Sequence, residues 1–569
     1  MKPVIFIKYF SGLVIKKKSA GIFIVMAWLA FGLFSFRPAD QDFLSISRYL
    51  KIISQTYKSL NEDYVDEVEP AGLMRKCIDG MLKSLDPYTN YITESQIEEA
   101  RLRQSGQMGD IGVDLFEEKG RILIREVFEN LGAAQARIKP GAEIIAINNK
   151  PVTGRSAEEV LLALMGQPDT EVELAIKTTA DATTEKVKVM RTQITPKDVT
   201  YSEMINDSVG YVKLTQFTAS CGKFLEGEIK KLKENEGFKY LIFDLRQNPG
   251  GLLNEAINIC NIFNPKGSPV VSTKGRLTEW EKKYEAMSDA LDTETPLILL
   301  IDEKSASASE IVSGVMQDMD RGVVIGQRSY GKGLVQQTKD IGYNAKLKLT
   351  VAKYYLPSGR CIQAIDYYGQ YTDQGAKEIP DTLCKAYKTK NGRKVMDGSG
   401  VAPDIKVEIP KPSSFTQGLI DQKMFFSYCN WYQLKNDSIA PPKDFVFSDE
   451  DFDQFVAFLK TQNYNFESKT EKSLAALETS SNDEGLGDQA IAYFNTIRKK
   501  IDTYQSSELE KHRKEIKKLL GYELIGRYYY QSGKTEATLH ADPFILESIK
   551  LFGDPSRYRE ILSGSVVKK

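Results

Sequence analysis

Apolar residues recur at three-to-four spacing from Phe43 to Tyr64 and again from Leu73 to Leu85, which predicts two helices. Asp86-Pro87 closes the second, because a proline biases its predecessor away from helix. Between residues 105 and 193 the period changes. Gly109–Leu115, Ile122–Val127, Glu143–Ile147, Val172–Ile176 and Lys186–Arg191 read as strands, Asn148-Asn149-Lys150 as a turn, and Ala157–Met165 as a short helix. From 200 to 410 short apolar runs alternate with helical stretches. Gly210–Leu214, Tyr240–Leu245, Leu297–Ile301 and Val323–Ile325 have the length of buried strands, with helices at 219–235, 252–263 and 307–319 between them. Leu347–Tyr354 and Ile405–Ile409 complete the strands. Such alternation argues for an α/β layer architecture. Beyond Pro410 and Pro412 the pattern is helical and highly charged. Glu508–Tyr530 is its clearest helix, and the polar stretch 466–488 reads as a linker.

The N-terminus follows a different rule. Lys2, Lys8, Lys16, Lys17 and Lys18 precede an uncharged run of 17 residues, Ala20–Phe36, closed by Arg37. As a helix this run spans about 25 Å, close to a hydrocarbon core. The lysines hold the leading end in the cytoplasm, so the remainder is expected on the outer side of the membrane. Residues 1–37 are read as a signal anchor or signal peptide. The absence of a small-x-small cleavage site and of a lipobox cysteine favours the anchor.

Composition narrows the chemistry. With 76 Lys+Arg against 77 Asp+Glu in 569 residues, the chain has no general electrostatic reason to bind nucleic acid. Only two histidines are present, His512 and His540, so a Ser-His-Asp triad or a multi-histidine metal site has little to be built from. The six cysteines show no CxxC spacing and read as small buried hydrophobes. No metal and no cofactor is expected.

Four segments could carry chemistry. Ser305-Ala306-Ser307-Ala308-Ser309-Glu310 joins a strand to a helix, where a hydroxyl is exposed near free backbone N–H groups; Ser307-x-x-Glu310 is also an ordinary capping box. Gly331-Lys332-Gly333 can aim an amine inward, and burial would make that amine a base, with Gln336 four residues on to orient it. A solvated hairpin lysine is the plainer alternative. Asp244–Leu253 contains a Pro249-Gly250-Gly251 turn that could leave an N–H pointing into open space, or be a simple strand-to-helix turn. Gly109-Asp110-Ile111-Gly112-Val113 runs into a strand, and such a loop can hold a C-terminal carboxylate on its amides.

In this order, the four segments resemble the C-terminal processing peptidase (tail-specific protease) family of serine peptidases. Leu85–Tyr91, Ile138–Asn148, Leu356-Pro357-Ser358-Gly359-Arg360 and Asp397–Asp404 extend the likeness over roughly residues 60–410. The resemblance implies a crotonase-like α/β protease core, 194–410, with an inserted β-rich PDZ domain, 103–193; the helical flanks, 38–102 and 411–569, are read from the periodicity, and on 411–569 the family's pattern is silent. The resemblance also implies Ser307 as nucleophile, Lys332 as general base and Gln336 as its orienting residue. The oxyanion hole would combine the Ala308 amide with one from Gly250 or Gly251, Gly250 being favoured. Asp110, Ile111, Gly112 and Val113 would form the PDZ peptide site. Implied substrates are proteins with accessible C-terminal tails, cut through an acyl-enzyme in the cell envelope, on the periplasmic side of the inner membrane. Self-association would use the helical ends. The competing expectation is a catalytically silent PDZ scaffold, against which the intact Ser307, Lys332 and Gln336 argue. One departure stands out. Asp110 occupies a position where the family's loop has a small residue or glycine, and its charge would repel a bound tail unless it points away.

Overall fold

The structure is a computed structural model that describes residues 39–97, 108–178, 182–193, 198–369, 375–409, 411–462 and 469–564. The expected membrane segment at 1–37 lies outside the described residues. The chain divides into two units, Met1–Ser84 and Leu85–Lys569.

In the first unit, helices Ala39–Asp63 and Pro70–Lys83 match the two apolar stripes. Glu69 caps the second helix by accepting the Ala71 and Gly72 amides, and Pro70 opens it at the position where no N–H is needed. Tyr57 Oη donates to Pro70 O at 2.9 Å and ties the pair together.

The second unit contains three sheets that matter for the site. Strands Val199–Met204, Val209–Leu214, Tyr240–Asp244, Leu297–Ile301, Gly322–Gly326 and Ile405–Lys406 stand side by side in chain order; the first pair is antiparallel and the others parallel. A parallel sheet is covered on both faces, which is why Leu297–Ile301 is apolar at every position and wholly buried. Helices Cys221–Lys233, Leu253–Phe263 and Ala308–Asp318 cover one face. The other face is covered by the end of the chain. Phe544, Ile545, Leu551 and Phe552 of helix Pro543–Phe552, with Tyr558 of helix Pro555–Ser563, pack on Ile242, Ile298, Leu300 and Ile325. The last helices are therefore part of the core layer, although the sequence pattern groups them with the helical region.

A second sheet is built around the long strand Ala345–Tyr355, which pairs with Asn90–Ile92, Leu334–Gly342 and Pro269–Gly275. The end of the Leu85–Tyr91 motif thus lies on one edge of Ala345–Tyr355, and the strand that follows Lys332 on the other. The third sheet is the inserted module. Val113–Glu118, Arg121–Val127, Glu143–Ile147, Glu171–Lys177 and Glu185–Met190 follow in chain order, with helix Ala157–Leu164 packed on the first. Val113–Glu118 is an edge strand of that sheet.

The remaining helices have an aromatic core in which Tyr428 meets Phe447, Phe455 and Phe458. Two expectations change here. Lys469–Asp483 is a helix, not a linker, and Arg498 pairs with Glu478 to join it to helix Gly487–Lys511. The expected helix Glu508–Tyr530 is broken at His512 and kinked at Tyr530 (φ 57°, ψ −161°). The kink brings Tyr530 against the inserted module, where Gln531 and Ser532 bond Glu126 and Glu129. Phe426 meets Phe116 edge-on, with ring centres 5.2 Å apart. Of the cysteines, Cys221, Cys260 and Cys429 are buried and Cys77 is exposed.

Candidate active site

Ser307 sits between strand Leu297–Ile301 and helix Ala308–Asp318, at φ 56° and ψ −112°. A non-glycine residue held there is strained, and such strain is characteristic of residues held by their surroundings for a purpose. Within the first helical turn, Ser309 N bonds Ala306 O, and both Glu310 N and Ile311 N bond Ser307 O. Among the described residues the Ala308 N–H is left over, as helix starts require for some of their amides.

The glycine turn approaches this amide closely. A Cβ on Gly250 (φ 94°) would lie 2.6 Å from Ala306 O, 2.8 Å from Ala308 N and 2.9 Å from Ser307 Cβ. Only glycine allows that contact. Gly250 gives its own N–H to Asn248 Oδ1 at 2.9 Å. Gly251 N–H has no partner among the described residues. Below the turn, Asp244 is wholly buried and held by Arg246 and by Tyr211 Oη at 2.6 Å, and Arg246 reaches Asp542 at 2.7 Å.

Lys332 is half-buried, with Nζ 4.3 Å from the centre of the Tyr88 ring. Burial lowers its pKa below that of a solvated lysine. Lys348 adds to the lowering, while Glu310 and Asp86 oppose it. Asp86 shapes the turn that carries Tyr88, accepting the Tyr88 and Thr89 amides at 2.8 Å each. Gln336 donates its amide to Thr350 Oγ1 at 3.3 Å, on the strand paired with its own.

Two residues without an assigned role connect the serine and lysine loops. Glu310 is fully buried; Oε2 accepts the N–H of Ser307 at 2.7 Å and of Lys332 at 2.9 Å. Oε1 accepts Gly331 N–H at 2.7 Å and Ser329 Oγ at 2.5 Å. Burial pushes this carboxyl above its ordinary range, against those hydrogen bonds. Tyr354 Oη donates to the carbonyls of Ser307, at 3.2 Å, and Lys332. The sequence signals Glu310 only as a helix-capping residue, and Tyr354 only as a strand position.

The structure thus brings Ser307, Ala308 and the Gly250–Gly251 turn together, and links Lys332 to Ser307 through shared partners. Asp110, Ile111, Gly112 and Val113 lie in the inserted module, at the start of its edge strand. A cavity of about 780 Å³ lies elsewhere, lined in part by Asp198, Tyr201, Glu203, Phe224, Lys443 and Glu536.

Comparison with known proteins gives a consistent set. The model of peptidase family S41 matches residues 208–373, and that of the PDZ domain matches 99–177. An activating protease CtpB N-terminal domain matches 20–96, and a PDZ-protease C-terminal helical domain matches 415–552. A carboxy-terminal-processing protease of Bartonella bacilliformis is 34% identical over 312 residues, 54% of this chain and 71% of that protein. A protein of Staphylococcus aureus described as a "Probable CtpA-like serine protease" is 30% identical over 368 residues, 64% of this chain and 66% of its own length. A solved photosystem II D1 C-terminal processing protease aligns over 62% of this chain and 92% of its own, at 22% identity and a TM-score of 0.36.

Proposed function

Because this chain belongs to the carboxy-terminal-processing protease family of S41 peptidases, we propose that it is an exported serine endopeptidase working through Ser307 and Lys332. The observation that carries this reading is Glu310. One of its oxygens takes an N–H from each of the two residues, so the nucleophile and base loops are held as one piece.

In the proposed reaction, neutral Lys332 Nζ takes the Ser307 proton as Oγ attacks the peptide carbonyl carbon. The oxyanion receives the Ala308 N–H and a second N–H from the Gly250–Gly251 turn. Collapse breaks the C–N bond, Lys332 returns the proton to the leaving amine, and an ester on Ser307 remains. Water, deprotonated by Lys332, then attacks the ester and Ser307 regains its proton. Gln336, whose side-chain amide donates to Thr350, is the residue that orients Lys332. The half-burial of Lys332 lowers its pKa, in the direction that favours the neutral amine a base needs.

The substrates proposed are proteins with accessible C-terminal tails, brought through the PDZ-type loop. The lysine cluster and uncharged run at the N-terminus support a cell-envelope location, anchored with the catalytic unit on the periplasmic side. Incubation with an unfolded protein bearing an apolar tail tests the reading. Wild type should cut it, and Ser307→Ala should not. Cleavage that persists in Ser307→Ala would refute the assignment.

A further inference from the structure

The loop Gly109–Val113 already holds a carboxylate, and it is the protein's own. Asp110 Oδ1 accepts the Ile111 N–H at 2.6 Å and the Gly112 N–H at 3.2 Å. These are amides of the loop on which a peptide terminus would sit, directly before the edge strand Val113–Glu118. Asp110 is buried, and so is Arg191, whose Nε donates to Leu164 O at 2.7 Å. The Arg191 guanidinium is close enough to feel the Asp110 charge, which offsets part of the cost of burying it. Gly112 takes φ 80° with Leu131 packed beneath it, and Ala133 N–H bonds Ile111 O at 2.7 Å, so the loop backbone is fixed. Together, the amides and the buried cation make an anion seat at the start of an edge strand.

We propose that Asp110 is an internal ligand of this seat: its carboxylate occupies the place of a substrate's C-terminal carboxylate, and a tail binds only when Asp110 leaves. The inference rests on the PDZ-type loop being the tail site. Two charge-assisted hydrogen bonds favour the occupied form. A side chain on the same loop also competes at a high effective concentration, on the order of millimolar or above. Tail affinity is therefore reduced by the fraction of molecules in which the seat is open. The negative charge expected to repel a tail does more than repel it; it fills the seat.

The test measures binding of a fluorescein-labelled apolar peptide to the full chain carrying Ser307→Ala, so that nothing is cut. The peptide is used with a free C-terminus and with a C-terminal amide. Adding Asp110→Ala should tighten the free-carboxylate peptide by at least about tenfold, as expected if a tenth or less of the seats are open. The amide should be unaffected. Asp110→Asn keeps the shape and both acceptor contacts without the charge. It guards against misfolding of the alanine variant, and should tighten the same peptide by a smaller factor. Unchanged or weaker binding of the free-carboxylate peptide in both variants overturns the proposal, as does equal tightening of the amide. Because no cleavage is read, this outcome is separate from the Ser307 test, and either can fail while the other stands.

Discussion

Glu310 Oε2 and the Lys332 amide lie 2.9 Å apart, while the same oxygen holds the Ser307 amide at 2.7 Å. A residue three positions into a helix thus sets the spacing between two loops 25 residues apart in sequence. Glu310→Gln keeps the volume but turns at least one donor toward donors. Buried unsatisfied groups cost about 1–3 kcal/mol each. The expected result is a fall in kcat of roughly ten- to a hundredfold with a smaller change in KM, read from steady-state cleavage, plus a lowered unfolding midpoint. Glu310→Asp, which keeps the charge, should recover part of the rate. An unchanged kcat in Glu310→Gln would remove the positioning role.

The lowered pKa of Lys332 acts on both activity and stability. For activity, the base form is the deprotonated one, so kcat/KM should rise with pH through a single step whose midpoint lies below that of a solvated lysine. For stability, the unfolded chain binds the extra proton between the folded pKa and the unfolded value, so this group destabilises at lower pH and stops doing so as pH rises through that window. Lys332→Met should therefore abolish cleavage at every pH and flatten that part of the stability profile. Lys332→Arg should also be inactive, since guanidinium does not deprotonate in this range.

Gly250→Ala tests the turn against the nucleophile. The new methyl would meet Ala306 O at 2.6 Å and Ala308 N at 2.8 Å, on a backbone at φ 94°. Both obstacles are backbone atoms, so neither side can yield cheaply. Cleavage should drop by about a hundredfold or more, the scale of losing an oxyanion donor. Circular dichroism and thermal melting should show the fold retained.

Tyr558 tests whether the end of the chain belongs to the core. Its hydroxyl donates to Leu297 O at 3.0 Å and accepts Leu297 N–H at 2.9 Å, where a central strand begins. Tyr558→Phe leaves both buried groups without that partner. A loss of about 1–3 kcal/mol in denaturant unfolding is expected, with kcat little changed. No loss would mean that the last helix is an appendage.

The local pattern alone was enough to locate the short all-apolar strands, because a strand covered on both faces needs an apolar residue at every position. It also singled out Ser307, Lys332 and the glycine turn as candidates, since each stands at a strand-to-helix or strand-to-strand boundary with glycines or small residues around it, but a helix cap, a hairpin lysine and a plain turn fit the same pattern. Their association is different in kind. The serine and lysine loops are joined through Glu310 and Tyr354, and capping and strand patterns carry no information about what a buried side chain meets across a sheet. The end of the chain is a similar case. An amphipathic helix shows that it has a partner but not which one, so the helical pattern beyond Pro412 does not tell that helices Pro543–Phe552 and Pro555–Ser563 cover a sheet face. Asp110 is the sharpest example. The sequence determined that a carboxylate stands in a loop suited to carboxylates; only the tertiary structure decided that it turns inward, because that depends on two amide directions and one buried arginine some eighty residues away in sequence.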